Sequence, residues 1–176
     1  MELSTGALRP WNPLASQLAS TEKIASVRAL ALQNDRIAVG GDFVSLGGVN
    51  RQHLAALDTA TGLATVWNPG ADGSVYALAS SPGAIYAGGI FTNVGGGVVS
   101  RLAALDPSSG QVKPFSAQVV ANGTLGVFAL VWKSDTLYVG GNFTGIGGTT
   151  RKNLAAVDGL TGALIAGWNP DRKSVV

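Results

Sequence analysis

One segment recurs three times in this chain, and it determines how the remaining residues are interpreted. An apolar run that leads into two glycines and, two residues after them, a phenylalanine occupies 37–43, 85–91 and 137–143. A second segment, Leu-Ala-Ala-Leu-Asp or Leu-Ala-Ala-Val-Asp, occupies 54–58, 102–106 and 154–158. Both segments recur after 48 and then 52 residues. A period near 50 is typical of repeat architectures, in which each repeat forms one supersecondary unit.

Each repeat contains four runs of strand length, separated by turn-forming residues. In the second repeat these runs lie at 75–79, 84–91, 101–106 and 111–115. The repeats cover approximately 27–68, 75–115 and 127–168, and residues 1–13 match the end of a preceding repeat. Four-stranded units at this period predict an all-β chain of antiparallel β-propeller blades.

The predicted fold is therefore three full blades plus one extra strand, in a single propeller segment covering 1–176. Closed propellers contain roughly four to eight blades. We therefore expect the chain to be either part of a longer propeller or one half of an oligomeric one.

Three features recur in each repeat and have structural interpretations. An aspartate lies four residues before a glycine in each copy, which predicts a hairpin turn with the glycine at positive φ. The glycine pair inside a strand predicts a bulge or a close backbone approach. Large aromatic residues at the end of each repeat are expected to pack between neighbouring sheets. The tryptophans with this expected role are Trp11, Trp67 and Trp168.

Composition excludes several classes of function. Charged residues make up 12% of the chain, about half the ~25% of an average soluble domain. The net charge is +2 and the basic residues are scattered, so nucleic-acid binding is not expected. The chain has no cysteine, hence no disulfides, and residues 1–20 lack the apolar run of a signal peptide or a membrane span.

Candidate binding residues lie on one face of the predicted propeller. Loops joining the second and third strands of a blade, and loops joining successive blades, lie on the same face and are the longer ones here; we call this the long-loop face. Function in such folds concentrates on loops held by a rigid scaffold. The predicted binding residues on this face are Arg51, His53, Arg101, Arg151 and Asn153.

Arginine presents a planar fork that suits carboxylates, phosphates or sugar hydroxyls. The alternative is structural: Arg51 and Arg151 would tie the glycine loop to a backbone carbonyl or to a neighbouring blade. His53 is the single histidine, which is too few for a typical zinc site. No nucleophile elbow or phosphate-binding loop is present. The sequence thus predicts no catalytic residues, no metal site and no cofactor.

The combined pattern resembles the bacterial delta-60 repeat family of β-propellers, whose function is unknown. Gly-Gly-x-Phe, a Gly-Gly loop, Arg-x-Asn-Leu-Ala-Ala-x-Asp, Thr-Gly and Trp-Asn-Pro follow one another at 140–170, and the resemblance covers nearly the whole chain. The second repeat departs from it, with Val99 in place of arginine and Arg101 in place of His53 or Asn153. The resemblance implies a propeller within a long secreted or surface-attached bacterial protein, and it supplies no catalytic residues.

Two further propeller groups are similar in pattern. Kelch propellers share the glycine doublet and a later tryptophan, and they are mostly partner-binding modules. Quinoprotein dehydrogenases share an Ala-x-Asp-x-x-Thr-Gly segment like those at 56–62 and 156–162. In those enzymes the segment docks blades together, so the similarity indicates shared packing more than a shared cofactor.

The resulting hypothesis is a non-enzymatic structural or interaction module of a bacterial extracellular or surface protein, which binds a protein or glycan partner through the long-loop face without membrane insertion. One alternative is part of an enzyme, with a quinoprotein-like or hydrolytic site at the axis of a complete propeller. Another is a self-assembling homo-oligomer or filament that associates through exposed blade edges.

Overall fold

A computed structural model describes residues 12–16, 24–121 and 126–170. All regular secondary structure in these ranges is β-strand, which confirms the all-β prediction. The described part of the chain contains no helix of the length and apolarity needed to cross a membrane.

The described residues form 17 strands. They are β1 (Ala15–Ser16), β2 (Ser26–Gln33), β3 (Arg36–Asp42), β4 (Ser45–Leu46), β5 (Val49–Asn50), β6 (Leu54–Asp58), β7 (Val75–Ser81), β8 (Ala84–Gly89), β9 (Asn93–Val94), β10 (Gly97–Val98), β11 (Leu102–Leu105), β12 (Val119–Val120), β13 (Val127–Lys133), β14 (Thr136–Gly141), β15 (Gly145–Ile146), β16 (Thr149–Thr150) and β17 (Leu154–Asp158).

Three of the antiparallel sheets form the blades. Blade 1 has the strand order β2-β3-β6, blade 2 the order β7-β8-β11, and blade 3 the order β13-β14-β17. The predicted fourth strand is shorter than expected. It contributes isolated antiparallel bridges, Leu57 to Ala64, Leu105 to Val112 and Val157 to Leu164. In blade 1 two further backbone hydrogen bonds, from Thr65 N to Ala56 O and from Ala56 N to Trp67 O, complete the pairing.

The loops at 44–52, 92–100 and 145–152 contain short hairpins that the sequence did not predict. Each hairpin is closed by two glycines at positive φ, for example Gly47 at 62° and Gly48 at 77°. Positive φ at both central residues is the requirement of the two-residue turn that matches strand twist. The segment entering blade 1 adds β1 to this hairpin, and β12 does the same in blade 3. Each of these loops on the long-loop face is therefore held by backbone hydrogen bonds in a small sheet of its own.

The blades stack face to face, with β7 of blade 2 in contact with both β2 and β13. We call the face of a blade that meets the next blade along the chain its forward face, and the opposite face its rear face. One apolar core joins the forward face of blade 1 to the rear face of blade 2, and a second joins blade 2 to blade 3. Representative residues are Ala38, Leu54, Val75 and Ile85 in the first core, and Tyr86, Leu102, Val127 and Leu137 in the second.

The glycine pairs allow this stacking, as predicted. A Cβ placed on Gly40 would lie 2.6 Å from Cγ1 of Val75 in the next blade. A Cβ on Gly88 would lie 2.9 Å from the Cβ of Val127. Carbon atoms in contact normally stand 3.5–4.0 Å apart. The first strand of each blade also bulges opposite the glycines, as between Val27 and Ala29.

The expected role of the repeat-end aromatics is confirmed at Trp67. Its side chain is buried between blades 1 and 2, and its Nε1 donates to the Asp106 carbonyl oxygen at 3.1 Å. At the next interface the aromatic is Phe115, and the hydroxyl of Tyr86 donates to the Gly159 carbonyl oxygen at 2.7 Å. Trp168 is half-buried and packs edge-on against Tyr138, whereas Trp11 lies outside the described residues.

The repeated aspartates form the predicted turns. Oδ1 of Asp158 accepts hydrogen bonds from the backbone of Leu160 and Thr161 at 3.1 and 2.7 Å, and Gly162 has a φ of 77°. Asp58 and Asp106 make equivalent contacts. Hydrogen bonds from the following hydroxyl and amide groups hold the pKa of all three carboxyls below its usual value.

Candidate functional site

Three of the predicted binding residues occupy the same backbone position in successive blades. His53, Arg101 and Asn153 have φ values of 60°, 62° and 63°. This left-handed region is uncommon for residues other than glycine and is most easily adopted by asparagine. In each blade the carbonyl oxygen of this residue accepts a hydrogen bond from the N–H of the second glycine of the pair. Its own N–H donates to the carbonyl oxygen of the phenylalanine that follows the glycines, as from His53 N to Phe43 O at 3.0 Å.

The side chain of His53 turns back toward its own blade. Its Nδ1 lies 3.2 Å from the Gly41 carbonyl oxygen and 3.7 Å from Oδ1 of Asp42. The imidazole is only partly exposed, and its contacts lie within blade 1. Arg101 also interacts with other groups of the protein. The Asn153 side chain is exposed at the equivalent position of blade 3.

The two arginines at the start of the third strands contact the outer segments of their blades. In Arg51, Nη1 donates to the Asn50 carbonyl oxygen at 2.8 Å and Nη2 to that of Thr65 at 2.9 Å. In Arg151, Nη1 donates to the Trp168 carbonyl oxygen at 3.3 Å. Arg151 is buried, and the Nε of each arginine is buried without a partner. These contacts agree with the structural alternative for both residues.

The five predicted residues belong to three blades and do not line a common cavity among those described below. Arg51 and His53 lie on blade 1, Arg101 on blade 2, and Arg151 and Asn153 on blade 3. Their part in ligand binding stays a prediction.

A polar groove on the long-loop face lies where the loops of blades 1 and 2 meet. One cavity of about 410 Å³ is lined by Asn50, Gln52, Asn68, Pro69 and Gly70. A second, of about 240 Å³, shares the last two residues and Gln52, and extends to Asp72 and Asn93. Because four of these side chains carry amides, we call the two cavities together the amide groove. Sequence patterning did not identify it, since its residues come from three separate loops.

Asp72 fixes one end of the amide groove. Oδ1 accepts from the backbone of Thr92 and Asn93, at 2.8 and 2.9 Å, and Oδ2 accepts from both side chains at 2.7 Å. Partial burial raises the pKa of this carboxyl, but the hydrogen bonds from Asn93 and Thr92 outweigh it and bring the pKa to about 2. The carboxylate is thus ionised at neutral pH, and its oxygens are engaged in joining the two loops.

A cleft of about 510 Å³ lies on the opposite face, between blades 2 and 3. Its walls include Tyr86 and Trp132, and Lys113 and Asp135 lie at its rim. The Lys113 ammonium donates to the Gly83 carbonyl oxygen at 2.8 Å. Burial raises the pKa of Tyr86, so this phenol stays protonated at neutral pH. The sequence did not predict this cleft; Trp132, an aromatic residue outside the repeat pattern, is a signal that could have indicated it.

Three sheets stacked through their faces, with the first strand of each blade in contact with the first strand of the next, form an arc of a β-propeller. Solved structures with this fold match the chain. The computationally designed Ika4 protein matches with a TM-score of 0.53 at 17% identity, over 91% of this chain and 80% of that one. The computationally designed Ika8 protein matches with a TM-score of 0.51 at 17% identity, over 81% of this chain and 36% of that one.

A natural protein also matches. The extracellular domain assigned to a hybrid two component system of B. thetaiotaomicron gives a TM-score of 0.51 at 18% identity, over 82% of this chain and 17% of that one. These identities are low, so the likeness defines the fold and nothing finer. No family model matches the chain, and no curated protein sequence matches it.

Proposed function

We propose that this chain is a non-enzymatic interaction module of a bacterial extracellular or surface protein, of the delta-60 repeat type. The observation that carries the proposal is that the recurrent polar side chains hydrogen-bond to the backbone of the protein itself. The turn aspartates bind backbone amides, and Arg51 and Arg151 bind backbone carbonyls. A group committed to the fold in this way is a poor acid, base or nucleophile. The extracellular or surface location follows from the resemblance to the delta-60 repeat family and is part of the proposal.

The amide groove is the surface on which we place binding. Side-chain amides offer both donors and acceptors without charge. No hydrogen bond within the described residues occupies the amides of Gln52 or Asn68, and both side chains are exposed. Such a surface suits a neutral polar ligand, either glycan hydroxyls or the exposed backbone of a protein partner. Arg51 contributes indirectly, because it binds the backbone of Asn50 at the edge of the groove.

Binding should be tested with a labelled chain on a panel of bacterial glycans and on extracts of cell-surface protein. The informative variant is the double change Asn50→Ala with Gln52→Ala. Blade 3 offers a matched control, Thr150→Ala with Lys152→Ala, because these exposed residues hold the equivalent positions outside the groove. We expect the groove variant to lose at least tenfold in affinity and the control to change less than twofold.

Trp132→Ala separates the groove from the cleft on the opposite face. Loss of binding in this variant, with the groove variant unaffected, would move the site to the cleft and refute the assignment. Turnover of a substrate in a panel of hydrolase and dye-linked dehydrogenase assays would refute the non-enzymatic reading and favour the enzyme alternative.

A further inference from the structure

The first strand of blade 1 exposes apolar side chains on the rear face, although their counterparts in blade 2 are buried. The outer part of the same face is covered, because Val39, Ala55 and Leu57 lie in a third apolar core. Val27 and Leu30 are 47% and 61% exposed. Their counterparts in blade 2, Val75 and Leu78, are 0% and 8% exposed, because they pack on blade 1. The rear face of blade 1 therefore presents the same apolar residues as the buried one. Exposed apolar surface of this kind marks interaction sites.

The forward face of blade 3 also exposes apolar residues that are buried at the equivalent positions of blade 1. Val131 and Leu154 are 59% and 38% exposed, whereas Ala31 and Leu54, at the same positions of blade 1, are 7% and 0% exposed. Tyr138 and Trp168 extend this surface outward and contact each other at 5.3 Å between ring centroids.

The two internal interfaces show how such faces fit together. Val75 and Leu78 lie over Gly40, and Val127 and Leu130 lie over Gly88, in both cases within van der Waals contact of a Cβ built on the glycine. Among the described residues, the third glycine, Gly140, has no such cover, because a Cβ there meets Ala129 of its own strand pair and no other described residue. The described part of the chain thus leaves a glycine position unfilled on blade 3 and a Val-Leu pair unused on blade 1.

We propose that a second copy of this chain docks here, with Val27 and Leu30 of one copy over Gly140 of the other. The contact is head to tail, and such contacts close into a ring when the rotation permits. Two contacts of this kind join two copies into a closed six-bladed propeller, which lies within the range of roughly four to eight blades. Residues of the inner strands carry the contact, so it is independent of the ligand proposed for the long-loop face.

Native mass by light scattering tests the proposal on the full chain. We expect about 36 kDa, twice the 17.8 kDa of one chain. Leu30→Asp and Gly140→Val, on opposite faces, should each give a monomer with an unchanged far-ultraviolet spectrum. Val66→Asp is the matched control, because Val66 is 95% exposed and lies outside the strands that carry the contact, and it should leave the dimer intact. A monomeric wild type, open-ended assemblies, or a dimer unaffected by both face variants would overturn the proposal.

Because the chain has no cysteine, the direction of docking can be read from cross-linking. Val75 Cβ lies 3.1 Å from a Cβ built on Gly40, slightly closer than the roughly 3.5–4.5 Å between the Cβ atoms of a disulfide, so a small separation of the strands brings such a pair into range. The equivalent pair between copies is Val27 with Gly140. The double variant Val27→Cys, Gly140→Cys should oxidise to a covalent dimer, while neither single variant does. Covalent dimers from a single variant would show a symmetric contact and refute the head-to-tail arrangement.

Discussion

Substituting Gly88 by alanine adds one methyl group at the interface between blades 2 and 3. The new carbon would lie 2.9 Å from the Cβ of Val127, an atom fixed to the backbone that no rotamer change can move. Ordinary contact needs 3.5–4.0 Å, so the two inner strands must separate by roughly 0.6 Å or more.

The expected change in the free energy of unfolding is the difference between two opposing effects. Overpacking a well-packed core costs about 1–3 kcal/mol. Replacing glycine by alanine in a strand gains about 0.5–1 kcal/mol through the lower entropy of the unfolded chain. Gly88 is not among the residues with positive φ, so alanine brings no backbone strain. The two effects together give a cost of about 0–2.5 kcal/mol, and the short distances place Gly88→Ala in the upper part of that range, so we expect it to destabilise the fold by about 1–2 kcal/mol.

Gly140→Ala is the matched control, because within the described residues the same methyl group meets no neighbouring blade and approaches only Ala129, whose Cβ lies at 3.3 Å. We expect it to be neutral, or to stabilise the chain by up to about 1 kcal/mol. Both changes should be made in the Leu30→Asp background, so that association does not contribute. Urea unfolding followed by circular dichroism should show a midpoint lower by roughly 0.5–1 M for Gly88→Ala alone. Equal effects of the two substitutions would refute the reasoning.

Three further predictions concern single side chains. Trp67→Phe removes the hydrogen bond to the Asp106 carbonyl oxygen and leaves a void between blades, so urea unfolding should show a loss of about 1–3 kcal/mol, and an unchanged stability would contradict its packing role. Asp72→Ala should destabilise the chain at pH 7 by about 1 kcal/mol, since the shift from 3.8 to about 2 corresponds to roughly 2 kcal/mol before screening of this exposed group. The folded pKa is depressed, so this contribution is present above about pH 4 and lost as the pH falls toward 2; a wild-type advantage that persists undiminished at pH 2 would refute it. Asp135→Gly should stabilise the chain by about 0.5–1 kcal/mol, because Asp135 holds a φ of 61° in an exposed turn, and a thermal melt with a lower midpoint would contradict this.

The blade architecture was predictable because its markers recur at a fixed spacing. The turn aspartate has one role in all three repeats, and the glycine pair has one role at both interfaces between blades. The repetition shows these roles without knowledge of the neighbours. Gly40 and Gly88 illustrate this: the sequence required a close approach at these positions, and the structure shows Val75 and Val127 there.

The short hairpins and the reduced fourth strand were not predictable in the same way. A two-residue strand such as β4 carries no measurable periodicity, and its partner β1 comes from a segment about 30 residues away. The predicted strand at 111–115 retains a single bridge, at Val112. Pairing of this kind depends on contacts with distant segments of the chain, and the local sequence pattern carries no information about those contacts.

The candidate site was only partly accessible from the sequence. The face was chosen from loop lengths, but the role of Arg51 depended on its distance to the Thr65 carbonyl oxygen, which only the fold determines. The amide groove arises from residues of separate loops, and Asn50, Gln52 and Asn68 have no shared motif. The sequence therefore predicted where polar groups lie more successfully than which of them are available.

A double-mutant cycle between Gly88 and Val127 tests the stacking of the blades most directly. Val127→Ala alone should destabilise the chain by opening a cavity, as should Gly88→Ala by overpacking. Together the two changes remove the shorter clash, between the added methyl group and Val127 Cγ1, and leave the 2.9 Å contact with the Val127 Cβ. We therefore predict a double variant that is more stable than the sum of the single effects by about 0.5 kcal/mol or more. Strictly additive free energies of unfolding would show that these residues do not meet, and would contradict the face-to-face arrangement of the blades.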